Sequence, residues 1–348
     1  MQFGNMRVLS FAIVRFLFTI GLTLSVVSVN VGAQSPAPTG TTADEDSYPN
    51  DHLLVSTEWL AERLDEADAG DTLRVVDMRS PDTYAEAHIP GAFNIPVDAI
   101  SSTIDGISME FDEAEVQAQL GAIGLEPEMT VVIYDNLGMM NSGRLFWTLE
   151  YVGHEDVRIL NGGWNAWQAE DQATTAEVPE VESTDYAVEL NPDKIIDAEA
   201  LLEQLDDPNV VVIDARSPQE YTGEASFSER SGHIPGAVNL VWLDALMGGD
   251  TVYTTEAGWQ EELQDEDVEV FKSVSEIQSL LDELGIEPEQ TVITYCQTLW
   301  RGAHVYFLFR LMGYEDVIGY DGSWAEWGNR DGLPIVTGSE PSSLEDAQ

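Results

Sequence analysis

One cysteine stands among the 348 residues, and the stretch around it, Thr294-Tyr-Cys-Gln-Thr-Leu-Trp-Arg-Gly-Ala-His304, holds the residue types best suited to chemistry. Cys296 follows a β-branched run, Thr291 to Tyr295, and precedes Arg301 and a Gly-Ala step at which a helix begins. Where a strand hands over to a helix, backbone N–H groups turn inward and the helix dipole adds positive potential. Those fields and the charge of Arg301 favour a thiolate. A thiolate in an amide cradle can attack an electrophilic atom, hold it and pass it on while the amides bind the accompanying anion. The competing reading is a small apolar residue ending a buried strand, since free cysteine is among the most buried residue types. Placement at the carboxyl end of the strand, rather than within it, favours the nucleophile.

An internal repeat supplies the elements that position this loop. Val75-Val-Asp-Met-Arg-Ser-Pro81 matches Val212-Ile-Asp-Ala-Arg-Ser-Pro218, and His88-Ile-Pro-Gly-Ala92 matches His233-Ile-Pro-Gly-Ala237. Further on, Tyr151-Val-Gly-His-Glu-Asp-Val157 matches Leu311-Met-Gly-Tyr-Glu-Asp-Val317, and Asn161-Gly-Gly-Trp-Asn-Ala-Trp167 matches Asp321-Gly-Ser-Trp-Ala-Glu-Trp327. The offset grows along the chain, which places insertions in the second copy after Tyr221 and between Leu240 and Val274. Strands are expected at Leu73 to Asp77, Thr130 to Tyr134, Val210 to Asp214 and Thr291 to Tyr295. Helices are expected at 58–66, 142–151, 198–205 and 302–312. Strands alternating with helices give an α/β fold: two tandem domains, each a mainly parallel sheet with helices on both faces. Ligands of such sheets bind beyond the carboxyl ends of the strands, where Cys296 falls.

Lys+Arg of 14 against Asp+Glu of 64 give a net charge of −50, and only Lys194 and Lys272 are lysines. Such a surface repels nucleic acid and anionic lipid, and its bland reading is solvation in high salt. An anionic substrate must find a local positive site against that field. Arg7 and Arg15 precede an apolar run that ends at Val31-Gly32-Ala33, the pattern of a cleaved export signal over residues 1–33, with a retained anchor as the other reading. A flexible segment follows at 34–51, then domain one at 52–170, a Thr/Glu/Pro-rich exposed linker at 171–191, domain two at 192–338 and an acidic tail at 339–348. An exported chain with one cysteine makes no internal disulfide. No metal cluster or organic cofactor is indicated, and the expected state is a monomer without stable membrane insertion, placed in the periplasm or secreted.

Tyr84-Ala-Glu-Ala-His-Ile-Pro-Gly-Ala-Phe-Asn-Ile95 and Gly319-Tyr-Asp-Gly-Ser-Trp-Ala-Glu-Trp327 resemble the two signatures of the rhodanese family of sulfurtransferases. A strand ending in a lone cysteine, a short loop and an arginine resembles that family's active-site loop. The resemblance implies tandem rhodanese-like domains of the thiosulfate or 3-mercaptopyruvate sulfurtransferase type, with Cys296 of the second copy accepting a sulfane sulfur and delivering it to cyanide or a thiol. In the first copy Asp135 stands where the second has Cys296, within a loop one residue longer, and a carboxylate is no sulfur nucleophile. That implies a catalytically silent first domain. Phosphatases of related fold place five residues between Cys and Arg; here there are four.

By the same resemblance Gln297, Thr298, Leu299, Trp300 and Arg301 form the substrate loop. Gln297 matches neither the basic residue of thiosulfate-type loops nor the small one of mercaptopyruvate-type loops. Leu299 stands where many members have Gly, and with Trp300 makes an apolar rim. Glu220 takes the place of a substrate-binding arginine, for which Arg230 is a candidate replacement. Asp214 and Arg216 are expected to tie neighbouring loops together, as their repeats Asp77 and Arg79 do, and His233, like His88, to hydrogen-bond a turn. A non-catalytic sulfur- or redox-sensing module is the remaining reading.

Overall fold

The computed structural model describes residues 47–104, 107–247 and 269–347. The 1–33 segment read as an export signal, the 34–51 segment up to residue 46, and residues 248–268 of the second insertion lie outside the described residues.

The first repeat contributes β1 (Leu54–Val55), β2 (Leu73–Asp77), β3 (Ala92–Asn94), β4 (Ser101–Ile104), β5 (Ile107–Phe111), β6 (Thr130–Tyr134) and β7 (Val157–Leu160). Five of these form a parallel sheet in the order β1-β7-β6-β2-β3, while β4 and β5 make a separate antiparallel hairpin. The second repeat contributes β8 (Val210–Asp214), β9 (Val238–Asn239), β10 (Thr291–Tyr295) and β11 (Val317–Gly319), a parallel sheet in the order β11-β10-β8-β9. A lone parallel bridge from Ile195 to Gly319 stands where the first sheet has β1. The four strands expected from the β-branched runs carry the bounds read from sequence. All but the first residue of β6, β8 and β10 are buried, as the central strands of a two-faced parallel sheet should be.

Alternate residues of each strand serve different cores, following the two-residue period of a strand. Val75, Val132 and Tyr134 face one cluster of the first repeat, and Val212, Ile293 and Tyr295 face its counterpart in the second. Val131, Ile133, Val211, Ile213 and Val292 face a larger cluster that runs through both repeats. The helices Met140–Tyr151 and Trp300–Leu311 pack against each other inside this shared core. Their backbones come close: a Cβ on Gly143 would lie 2.7 Å from the Cα of His304. Both helices start two residues earlier than expected. The reason is a left-handed residue just before each, Met139 at φ 62° and Leu299 at φ 61°, a conformation that sequence normally signals with Gly.

Residues 171–191, largely exposed as their composition suggests, are also strapped to the first repeat by their backbone. Thr175 exchanges backbone hydrogen bonds with His88, the Thr184 N–H reaches the Gly121 carbonyl at 3.0 Å, and the Asn191 N–H reaches the Tyr151 carbonyl at 2.7 Å. Tyr186 is buried beneath it, while Val178 and Leu190 stay exposed. Thr/Glu/Pro content reports the solvated face of this segment and misses its backbone pairing. The acidic tail is anchored similarly, with the Gly236 N–H donating to the Ser342 carbonyl at 2.7 Å.

Candidate active site

Cys296 is the first residue beyond β10 and is only 1% exposed. Its turn is built from below by Ser323, whose Oγ accepts the N–H groups of Cys296 at 3.3 Å and Leu299 at 2.9 Å and whose hydroxyl donates to the Tyr320 carbonyl at 2.8 Å. The Cys296 carbonyl accepts the Trp324 N–H at 2.9 Å, and the Gln297 carbonyl accepts the Ala325 N–H at 2.9 Å. The Asp321-Gly-Ser-Trp324 turn therefore holds both sides of the cysteine.

Leu299 adopts its left-handed conformation with the side chain fully buried. It fills a slot left by two glycines: a Cβ on Gly302 would meet Leu299 Cδ1 at 3.0 Å, and one on Gly319 would meet Cδ2 at 2.9 Å. Burial of a leucine, about 2 kcal/mol, outweighs a left-handed cost of about 1 kcal/mol. Trp300 is 4% exposed. The apolar rim expected from Leu299 and Trp300 is thus corrected: both side chains turn into the core, and Gln297 and Thr298 are the half-buried residues bordering the cysteine. Gln297 Nε2 donates to Ser228 Oγ at 3.1 Å, which ties the loop to the insertion after Tyr221.

Arg301 and Glu220 form a buried fork, with contacts of 2.6 and 3.0 Å. Burial by itself would raise the Glu220 carboxyl, but the Arg301 charge and its hydrogen bonds prevail and hold it down at about 2. For Arg301, burial works against the charge, and Glu220 outweighs it and raises the guanidinium above its ordinary value. Glu220 therefore balances the loop cation. Arg230 is also corrected: its guanidinium donates to the carbonyls of Leu333 at 2.7 Å and Trp327 at 2.6 Å, with further bonds to Gly328 and Arg330. A cation committed to four carbonyls is a brace for the second domain's C-terminal turn.

Asp214 and Arg216 pair with each other at 2.6 Å, and Arg216 also donates to the Gly232 carbonyl at 2.7 Å. The tie to the cysteine strand runs through the Tyr295 hydroxyl, which donates to Asp214 Oδ2 at 2.6 Å. Tyr134, Asp77 and Arg79 repeat this arrangement in the first copy. His233 Nδ1 lies 2.8 Å from the Tyr221 carbonyl, its ring stacks on Tyr221 at 3.6 Å, and burial lowers its pKa.

The first copy shows what a filled loop looks like. The Asp135 carboxylate accepts the N–H groups of Leu137 at 2.7 Å, Met139 at 3.1 Å and Ser142 at 2.7 Å, together with the Ser142 hydroxyl at 2.7 Å. Burial pushes this carboxyl above its ordinary value, against the hydrogen bonds that favour the charge. In the second copy the N–H groups of Thr298, Trp300 and Gly302 have no hydrogen-bond acceptor among the described residues. One loop carries its own anion, and the other has no carboxylate in that place.

Sequence reasoning passed over Ser323. The signal was present: where the first copy has Gly163 in Asn161-Gly-Gly-Trp164, the second has Ser323 in Asp321-Gly-Ser-Trp324. A Cβ on Gly163 would sit 2.2 Å from the Asp135 carbonyl, so only the cysteine copy has room for the hydroxyl.

Comparison with known proteins agrees with this duplicated architecture. Residues 56–170 and again 197–330 match the rhodanese-like domain family. The chain belongs to the rhodanese family. A curated rhodanese relative, the thiosulfate sulfurtransferase of Azotobacter vinelandii, is 32% identical over 83% of this chain and 99% of its own length. That of Pseudomonas aeruginosa is 33% identical over 81% and 96%, and the sulfur carrier protein TtuD of Thermus thermophilus is 32% identical over 84% and 99%. Among solved structures, the anaerobic ergothioneine biosynthesis enzyme of Chlorobium limicola superposes with a TM-score of 0.71 at 28% identity, covering 84% of this rhodanese and 72% of that chain.

Proposed function

We propose that the protein is a thiosulfate sulfurtransferase that carries sulfane sulfur on Cys296 and delivers it to cyanide or a thiol. The observation that carries this reading is the contrast between the two loops, one filled by the Asp135 carboxylate and the other presenting a thiol among unclaimed amides. Relatives of similar length named thiosulfate sulfurtransferase support the choice of donor over 3-mercaptopyruvate and over phosphate chemistry.

The Cys296 thiolate attacks the outer sulfur of thiosulfate. The S–S bond breaks, sulfite leaves with its electron pair, and a cysteine persulfide remains. Amides at the start of the Trp300–Leu311 helix then hold the persulfide's negative charge. Cyanide attacks the terminal sulfur, departs as thiocyanate and returns the thiolate. Arg301, balanced by Glu220, orders the loop and leaves most anion binding to backbone dipoles. Gln297 and Thr298 border the path of the donor. Ser323, Asp214 and Tyr295 hold the turn in place.

The N-terminal 1–33 segment is proposed as an export signal, so the working protein is periplasmic or secreted and, on this reading, monomeric. Mass spectrometry of the mature N-terminus tests cleavage before Gln34. For the activity, the assay is thiocyanate release from thiosulfate and cyanide in high salt. Cys296→Ser should abolish it, and intact mass after thiosulfate treatment should show an increment of about 32 Da that cyanide removes. Turnover surviving in Cys296→Ser would refute the assignment.

A further inference from the structure

The two repeats fasten to each other reciprocally, and the exchange is unequal. On one side the Phe111 N–H, at the end of β5 in the first repeat, donates to Asp321 Oδ2 of the second at 2.8 Å. On the other side the Phe271 N–H donates to Asn161 Oδ1 at 3.2 Å. Asp321 and Asn161 are repeat equivalents, as are Arg144 and His304, which occupy the same place in the two packed helices. Arg144 pairs with Asp321 while both are buried, its guanidinium carbon lying 5.5 Å from the ring centre of Trp300 and 4.6 Å from that of Trp147. His304 is enclosed by Trp242 and Phe271 rings and burial lowers its pKa to about 3, so it is neutral where Arg144 is charged.

We infer that Arg144, supplied by the first domain, is a positioning residue for the cysteine loop of the second. Asp321 opens the turn whose next residue but one is Ser323, and Ser323 holds the N–H groups of Cys296 and Leu299. Trp300 leaves the same loop on its far side. Arg144 thus braces the turn beneath the loop and the first residue of the helix after it. For the first copy the equivalent positions hold two neutral side chains, Asn161, which accepts from the Phe271 N–H, and His304, which packs between rings, and the loop there is held from within by Asp135. The domain that carries no thiol thereby sets the geometry of the one that does. A displacement of about 1 Å at a reacting group can cost roughly 100-fold in rate, so a remote brace can control reactivity.

This inference rests on Cys296 being the sulfur carrier, so its test reads the thiol with and without sulfur. Wild type, Asp321→Asn, Arg144→Met, Arg144→Lys and the mirror control Asn161→Ala are compared for two rates, each normalised to the folded fraction by circular dichroism. The first is persulfide formation from thiosulfate, and the second is alkylation of Cys296 by iodoacetamide. Asp321→Asn keeps an acceptor for the Phe111 N–H and removes only the charge, so it tests the brace even where Arg144→Met unfolds. Asp321→Asn and Arg144→Met should slow persulfide formation by about 10- to 100-fold while speeding alkylation, because a loosened loop exposes a thiol that is normally buried. Arg144→Lys should recover part of the lost rate. Asn161→Ala should stay within about twofold of wild type in both, its bond serving the other loop. Wild-type rates in Asp321→Asn, or an equal loss in Asn161→Ala, would overturn the inference. A wild type that alkylates but forms no persulfide would count against the carrier function alone, and the alkylation series would still decide the brace.

Discussion

Replacing Glu220 by Gln removes one charge from a fork that is almost wholly buried, with side chains 5% and 4% exposed, and leaves Arg301 facing a neutral isostere. Gln resembles the protonated form of Glu, so the size of the effect follows from how strongly the pocket prefers the ionised form. The carboxyl sits at about 2 instead of the ordinary 4.5. At about 1.4 kcal/mol for each tenfold change, that preference is about 3 kcal/mol, at the lower edge of the roughly 3–5 kcal/mol seen when one partner of a buried pair is removed. The direction with pH is fixed by the depressed value. The stabilisation is fully present above pH 4.5 and disappears as pH falls through 4.5 towards 2. Urea unfolding of wild type and Glu220→Gln, followed by tryptophan fluorescence in high salt, should therefore differ by about 3 kcal/mol at pH 7 and by clearly less at pH 3. High salt should change the difference little, since a buried pair is weakly screened. A difference below about 1 kcal/mol at pH 7, or one equally large at pH 3, would mean that the fork is solvated and that Arg301 acts on the loop as a free cation.

Three further outcomes follow from the loop geometry. Leu299→Ala should be less stable than Leu299→Gly by about 1 kcal/mol, because both lose the buried side chain and only Gly relieves the left-handed backbone; the reverse order in denaturant melts would contradict that account. Asp135→Ala should destabilise by about 2–4 kcal/mol through stranded amides in the first loop while leaving the turnover of the folded enzyme within about twofold, which thermal melts and the thiocyanate assay check together. Arg230→Met should lower stability by about 2 kcal/mol with the thiosulfate KM unchanged, and a raised KM would restore Arg230 to the substrate path.

Much of the architecture could be read from the repeat. The four central strands carry the residues expected of them because a buried parallel strand is a short β-branched run, and that pattern is local. The Cys296 loop was legible for the same reason, and Leu299 stood out there as a departure from Gly, but its left-handed backbone is a finding of the structure. The direction of the Leu299 and Trp300 side chains was not legible. It depends on a slot formed by Gly302 and Gly319, residues from different elements that meet only in the folded sheet. Arg230 misled for a related cause: a lone arginine in an acidic chain looks like a substrate cation until the four carbonyls of a distant turn are placed around it. Glu220 was noticed as an oddity at its position, and its partner Arg301 lies 81 residues away. Ser323 could have been found by asking why aligned copies differ at one small residue. The exposure of 171–191 was legible in its composition and its backbone pairing was not, because composition reports which face meets water and says nothing about where backbone donors end.

The reciprocal bonds from Phe111 to Asp321 and from Phe271 to Asn161 are those of a two-fold interface, in which each partner presents the same patch to the other. Between separate chains such an interface dissociates on dilution, because association costs several kcal/mol of translational and rotational freedom. Joined on one chain, the halves meet at an effective concentration near the millimolar range whatever the concentration of the protein. However far the protein is diluted, it would keep these contacts, and with them the shape of the loop that holds Cys296.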